Sequence, residues 1–267
     1  MMASLSSIHQ YPVKSFGGNC ISQADIQPEG MAGDRRWLIT DLDGRLITAR
    51  RYPQMLLWQA SIDAQQNLTL TTPNGDSQSV DKQTCSHNRE VAVFQDTFMA
   101  HRAPNDINQW VIEHLNTPCL LHYLGDISQR PFDGPANALT FADGAPYLLT
   151  TKTSLTELNQ HLDNPVTMTH FRPNFVVEGD FEPWLEEEWR GIRIGDVQFE
   201  FYQLCARCVM INIDPESAQK SPVHQPYKTL QRLQKERPNG SGDTIFGIYL
   251  TAKNSGIIQQ GSTVEIF

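Results

Sequence analysis

The chain has 267 residues, 39% of them hydrophobic, with 30 Asp and Glu against 21 Lys and Arg, for a net charge of -9. That length allows one large domain or two moderate ones, each with a sizeable core. The acidic balance argues against a general nucleic-acid binder. No apolar run approaches a membrane span, and the N-terminal MMASLSSIHQYPVKSF lacks the basic leader and apolar centre of a secretory signal.

Short strand signals dominate the first part. In RRWLITDLDGRLITAR, Trp37, Ile39, Leu46 and Thr48 alternate with their neighbours around Asp43-Gly44, which predicts a hairpin. NLTLTTPNGDSQSV repeats the pattern around Asn74-Gly75, and REVAVFQDTFMAHRA predicts more extended chain. NDINQWVIEHLN predicts a helix capped by Asp106, with Trp110, Val111 and Leu115 on one face. GDISQRPFDGPAN, polar and broken by Gly and Pro, is a connection, and it divides the chain into segments 1–125 and 126–267. Beyond it, TSLTELNQHLD predicts a helix with a capping box from Ser154 to Glu157 and a buried stripe of Leu155, Leu158 and Leu162. NFVVEG, GIRIGDVQFEFYQL, VMINI, TIFGIYLTA and STVEIF predict strands, and PYKTLQRLQKE a further helix. The expected class is a β-rich α+β fold built on a closed or partly closed barrel with peripheral helices.

Five cysteines at irregular spacing do not form a disulfide framework, so the thiols are expected to be free in a reducing cytoplasm. Two of them, Cys205 and Cys208, sit in CARCVMINID with Arg207 between them. Four readings of the pair are open. Half of a zinc site would need two more ligands, but there is no second C-x2-C and no H-x3-5-H. A thiol-disulfide pair normally opens a helix, whereas a strand-like run follows here. One cysteine alone could be a thiolate ligand to a soft metal centre held mainly by something else. Both could also be buried as small hydrophobes.

Cations recur in hairpin-like contexts: Lys14 in YPVKS, Arg35 and Arg36 in GDRRW, Arg50 and Arg51 in TARRYP, and Arg172 in HFRPN. Through residue 51 there are six Lys and Arg against five Asp and Glu, a locally positive stretch in an acidic protein. Arginine forks bind phosphate and other anions through paired hydrogen bonds, and Ser15, Thr48 and Asn174 stand nearby as polar partners. Neither G-x-x-x-x-G-K-[ST] nor G-x-G-x-x-G is present, so no ordinary nucleotide site is indicated.

Taken together, IHQYPVKSFGG, GMAGDRRWLITDLDGRLITARRYP, LTFADGAPYLLTT, HFRPNFVV, IGDVQFEFYQLCARCVMINIDPESA and IFGIYL resemble the MOSC family almost end to end. The resemblance is to members with an N-terminal MOSC β-barrel domain followed by the MOSC domain, among them the bacterial YcbX proteins and the mitochondrial amidoxime-reducing component. It implies a MOSC β-barrel with peripheral helices plus an N-terminal barrel-like sub-domain, and a molybdopterin-type molybdenum cofactor bound between the two. In the family's C-x-R-C motif the ligand is the second cysteine, which maps onto Cys208 as the metal-binding and catalytic residue. Lys14, Ser15, Arg35, Arg172 and Asn174 map onto cofactor-contacting positions, with Arg50 and Arg207 as further candidates.

The activity implied by the resemblance is reduction of small N-hydroxylated compounds by oxygen-atom transfer. The alternative is a non-catalytic carrier of the cofactor or of sulfur. Gly144 and Ala145 stand where relatives often carry hydroxyl residues, and Ala206 offers none either. Some bacterial relatives continue into a 2Fe-2S ferredoxin domain. This sequence has no C-x4-C-x2-C, so a separate electron-transfer protein, a ferredoxin or a flavin reductase, is the expected partner. Neither pyridoxal phosphate nor an iron–sulfur cluster is expected on the chain, and neither nucleic acid nor membrane is an expected partner.

Overall fold

The computed structural model describes residues 3–136, 138–237 and 242–267. In chain order, the first part holds β1 (Ala3–Gln10), β2 (Asn19–Ile21), β3 (Gln23–Gln27), β4 (Gly30–Met31), β5 (Trp37–Thr40), β6 (Gln59–Ile62), β7 (Leu68–Thr71), β8 (Ser77–Val80), β9 (His87–Val93), β10 (Asp96–Arg102), α1 (Asn105–Leu115) and β11 (Leu120–Tyr123). The second part holds β12 (Tyr147–Thr151), α2 (Lys152–Gln160), β13 (Phe175–Gly179), β14 (Gly191–Ile194), β15 (Val197–Ala206), α3 (Tyr227–Glu236), β16 (Ile245–Ala252), β17 (Gly256–Gln259) and β18 (Thr263–Ile266).

The largest sheet runs β13-β12-β16-β15-β14-β18-β1-β2, and pairing of β1 with β13 closes it into a barrel. Closure satisfies the backbone groups that an open edge would leave exposed. Because side chains alternate along each strand, Leu5, Ile8, Leu149, Phe175, Val177, Ile192, Ile194, Phe199, Ile248 and Leu250 all point inward and are buried together. Tyr147, Phe175 and Phe199 form a ring cluster in this core with centroids 5.2 to 5.4 Å apart. The closing strand β1 comes from the N-terminal side of the expected division at residue 125. It is paired to β13 and β18, so the first segment of chain completes the barrel of the second.

A separate core lies under β5, β11 and α1. It gathers Val13, Phe16, Trp37, Ile39, Trp58, Leu68, Leu70 and Val80 with Ile107, Val111 and Leu115 of the helix. The hairpin expected at Asn74-Gly75 is present as β7–β8, and the extended chain of GIRIGDVQFEFYQL folds as the pair β14–β15. REVAVFQDTFMAHRA folds as the hairpin β9–β10, with Val93 opposite Asp96. Around Asp43-Gly44 the chain does turn, but the return leg forms only a bridge from Leu46 to Thr40. It leaves β5 because Arg45 bridges Ala92 instead. In the connection 125–137, Asn137 lies outside the described residues. Arg130 is buried there and ties β10 to the loop before β12.

Three local expectations are corrected. VMINI is not a strand: Val209–Asn212 is a 3-10 turn. Its apolar spacing serves two cores instead of one sheet face, with Ile211 against Phe171 and Phe246, and Ile213 in the N-terminal core. Helix α2 starts one turn earlier than its sequence signature, capped by Thr151, whose side chain accepts from Ser154 N. Ser154 is freed to donate to Glu186, and Glu157 reaches His161 instead of closing a box. Helix α1 begins after Pro104, and Asp106 lies in its first turn, where its charge favours the helix dipole without capping it.

Candidate functional site

All eight residues named from the sequence, Lys14, Ser15, Arg35, Arg50, Arg172, Asn174, Arg207 and Cys208, line one cavity of about 250 Å³. Its walls are drawn largely from loops at the ends of strands. Arg36 and Arg51 are not in it. Arg36 turns away to Glu29 and the Gly125 carbonyl, and Arg51 stacks on Tyr52.

The floor is built by a short strained segment. Lys14 is fixed by its backbone N–H to Trp37 O at 2.9 Å, and Ser15 adopts φ 73. Gly18 is required nearby, because a Cβ there would lie 2.2 Å from the Tyr11 ring. Arg35 and Arg172 both contact that ring, each with its guanidinium 4.3 Å from the ring centroid. Both arginines also have left-handed backbones, φ 48 and φ 52. Such conformations cost about 1–3 kcal/mol each for a non-glycine residue and concentrate at functional sites.

Lys14, Arg35 and Arg172 are braced from behind. Asp34, fully buried, accepts from Tyr11 N at 2.8 Å and from Arg35 Nη1 at 2.7 Å. Arg35 Nη2 donates to the Arg172 carbonyl at 3.1 Å, and Arg172 Nη1 to the Phe16 carbonyl at 2.6 Å. Asn174 ties β1 to β12 by donating to His9 O and accepting from Leu148 N, both at 3.2 Å. Lys14 donates to the Phe141 carbonyl at 2.6 Å and pairs with Asp143. Among the described residues, neither the Ser15 hydroxyl nor the Arg50 guanidinium has a hydrogen-bond partner or ion pair.

The cysteine motif sits where β15 leaves the barrel. Leu204 pairs with Ile248 but Ala206 with Ile245, so β16 carries one extra residue opposite Cys205. Gly247, at φ 81, takes up that bulge. A Cβ there would lie 2.4 Å from the Leu149 carbonyl. Bulges re-aim neighbouring side chains. Here Cys205 is turned inward, fully buried, while Cys208 is exposed. Arg207 is held between them: its N–H reaches Thr244 O at 2.6 Å, Nη1 donates to Cys205 Sγ at 2.8 Å and Nη2 to Phe171 O at 2.7 Å. Its Nε is buried without a partner among the described residues.

The two thiols are not equivalent, and all five cysteines are free. Among the described residues no three His, Cys, Asp or Glu side chains gather as a metal-binding group.

Five cations line the cavity, Lys14, Arg35, Arg50, Arg172 and Arg207, against one carboxylate, Asp143. Burial pulls the Lys14 ammonium below its ordinary value, with Asp143 opposing. Burial pushes the Asp143 carboxyl up, but Lys14, Arg35 and Arg207 outweigh it and hold the group well below the usual carboxylate range. The Asp143 side chain is 61% exposed, and that exposure opens into the cavity. Burial lowers Arg172 to about 10, Arg35 adding to the effect, so it remains a cation at neutral pH. His170, also on the wall, is lowered by burial.

Sequence reasoning did not find Tyr11, Phe94, Asp143, His170 or Tyr249. None carries a local spacing signal; the fold brings them to the site. Phe94 tops the β9–β10 turn, and Tyr249 lies on the face of β16 opposite the inward Ile248 and Leu250. The small residues Ala145 and Ala206 do line the cavity, where only their backbones offer polar contacts. Gly144 packs against the Tyr249 ring.

Residues 2–118 match the MOSC N-terminal beta barrel domain, and residues 136–265 match the MOSC domain. The chain belongs to the MOSC family. It is 27% identical over 274 residues to mitochondrial amidoxime-reducing component 1 of Homo sapiens, covering 96% of this chain and 80% of that protein. It is 28% identical over 270 residues to molybdenum cofactor sulfurase of Oryza sativa subsp. japonica, covering 92% of this chain but only 32% of that protein. Among solved structures it is similar to the YuaD protein from Bacillus subtilis, with a TM-score of 0.45 at 10% identity, covering 100% of this chain and 96% of that one. The cavity draws on both MOSC segments: Lys14, Ser15, Arg35, Arg50 and Phe94 fall in the N-terminal match, and Asp143, Arg172, Asn174, Arg207 and Cys208 in the MOSC domain.

Proposed function

We propose that the chain is a molybdenum-cofactor-dependent reductase of small N-hydroxylated compounds. The observation that carries this is the pairing of one exposed thiol, Cys208, with a cavity lined by five cations and one carboxylate. A soft thiolate suits molybdenum, and the cations suit the phosphate of a pterin cofactor. The buried Arg207 Nε, with no protein partner among the described residues, is a donor waiting for an acceptor of this kind. The residues present therefore fit the cofactor. Cys208 would bind its metal. Lys14, Ser15, Arg35, Arg172, Asn174 and Arg207 would hold its phosphate and pterin, and Arg50 would add charge at the rim. When bound, the cofactor supplies two-electron chemistry that removes oxygen from an N–O group.

The overall reaction takes an N-hydroxylated compound, two electrons and two protons to the corresponding N–H compound and water. The chain's own part is to bind, orient and screen. The Arg35–Tyr11–Arg172 stack fixes the anion site, and Cys205 and Phe171 hold Arg207 beside Cys208. The relatives named as amidoxime-reducing components support this choice of reaction. Electrons would come from a separate electron-transfer protein of the ferredoxin or flavin-reductase kind.

A second reading, a carrier of the cofactor or of sulfur without turnover, is favoured by the likeness to the cofactor sulfurase. Cofactor-loaded protein supplied with a chemical reductant and hydroxylaminopurine separates the two. Reduction to the amine supports the reductase, and cofactor retention without turnover supports the carrier. NADH alone is expected to be inert. Direct NADH oxidation coupled to substrate loss would contradict the need for a partner.

A further inference from the structure

Phe94 occupies an unusual position. It is the first residue of the two-residue turn between β9 and β10, its backbone is at φ 56, and it is 52% exposed. Hairpin turns that need a positive φ are normally given to glycine or asparagine, and a phenylalanine there is strained as well as wet. The fold gains little from it in return. The hairpin's own core contacts are made by Val91, Val93, Phe98 and Ala100 against Phe141, and Phe94 is not among them. The ring instead lines the same cavity as Cys208, with Lys14 Nζ 5.3 Å and the Arg50 guanidinium 5.9 Å from its centroid.

Its placement is fixed. Asp96, two residues on, accepts from the buried Arg130 Nε at 2.8 Å. Arg130 Nη1 also holds the carbonyls of Thr140 and Ala142, at 2.9 and 2.5 Å, and so clamps the hairpin tip to the loop that carries Asp143. Phe98 packs on Phe141 with centroids 5.8 Å apart, and the Phe141 carbonyl receives Lys14. The tip is thus braced at two points to the same wall that presents Lys14. An exposed ring held rigidly over a cavity mouth, at a backbone cost the fold does not need, is an aromatic surface kept for a ligand.

We propose that Phe94 is a specificity-determining residue that stacks on the planar, π-conjugated body of the substrate and so makes the site prefer aromatic N-hydroxylated compounds over small aliphatic ones. Arg50, without a hydrogen bond or ion pair among the described residues, stands at the edge of that platform and serves acceptor atoms on the same ring. A stacked ring lies flat on Phe94 with its N–O group directed inward, toward the wall that carries Cys208. This assignment rests on the reductase reading above.

The test uses cofactor-loaded full-length protein with benzamidoxime and acetamidoxime, which share the reacting group and differ in the ring. Wild type, Phe94→Leu and Phe94→Gly are compared in turnover with a chemical reductant and in direct calorimetric binding. Wild type is expected to bind benzamidoxime the more tightly. Both substitutions should raise its KM and Kd several-fold, to about tenfold, the range of a ring-on-ring contact. The loss should be much larger for benzamidoxime than for acetamidoxime. Phe94→Gly should be at least as stable as wild type, because it relieves the positive φ. A preference that survives both substitutions, or no preference in wild type, would overturn the proposal. Loss of cofactor from the variants would overturn it too, since the ring would then belong to the cofactor's seat. If wild type binds benzamidoxime in a Phe94-dependent way yet never turns it over, the platform stands and the reductase reading fails.

Discussion

Cys205 Sγ receives a hydrogen bond from Arg207 Nη1 at 2.8 Å. The sulfur is buried and its neighbour's is exposed, so the two thiols of one C-x-x-C differ: Cys205 holds Arg207, and Cys208 lines the cavity. Cys208→Ser should abolish molybdenum retention while leaving the unfolding midpoint near that of wild type. Cys205→Ala removes an acceptor from a buried guanidinium, at a cost of about 1–3 kcal/mol in stability. It should weaken cofactor binding only partly. Equal loss from both substitutions would return the pair to a joint role.

Arg35 and Arg172 share the Tyr11 ring and line the same cavity. Each alanine substitution should cost about 1.5–3 kcal/mol of cofactor binding if one charged hydrogen bond is lost. Cofactor content after gel filtration measures this. Full retention in both variants would make them structural cations only.

Gly18 tests these ring contacts without touching a charge. In Gly18→Ala the new Cβ falls 2.2 Å from Tyr11 Cε1, so the ring that both arginines contact must shift. Overpacking of this kind costs about 1–3 kcal/mol. The variant should lose stability and cofactor together, and unchanged retention would show that the stack does not set the anion site.

Much of the site was legible because its charged residues sit in local, strained motifs. YPVKS, GDRRW and HFRPN each place a cation at or beside a left-handed backbone, and all three converge on the cavity. Arg36 shows the limit of that reasoning. It shares its motif with Arg35, yet strand geometry sends it to Glu29. Asp143, Tyr249 and Phe94 were not legible, because separate elements of the fold bring them to the cavity and no local spacing marks them. VMINI misled for a related reason. A period of two describes a strand face, but two isoleucines at that spacing also serve a turn whose ends enter separate cores.

Glu186 gives a pH dependence away from the cavity. It is buried, accepts from Ser154 Oγ at 2.8 Å, and burial pushes it up to about 7 from an ordinary 4.5. The folded chain therefore binds this proton more tightly than the unfolded one. Its stabilising contribution is complete below about pH 4.5 and is lost as pH rises through about 7. The span from 4.5 to about 7 corresponds to roughly 3 kcal/mol. Glu186→Gln should remove that dependence, so urea melts should show the variant gaining on wild type between pH 5 and 8 by a few kcal/mol, as an order of magnitude. Parallel curves would contradict it.

The central claim is that Cys208 binds molybdenum in a cofactor seated among these cations. Elemental analysis for molybdenum, on protein made in a host that supplies the cofactor, tests it most directly. Wild type should carry close to one equivalent and Cys208→Ser almost none, with both chains equally folded. Molybdenum missing from wild type, or present equally in both, would contradict the account.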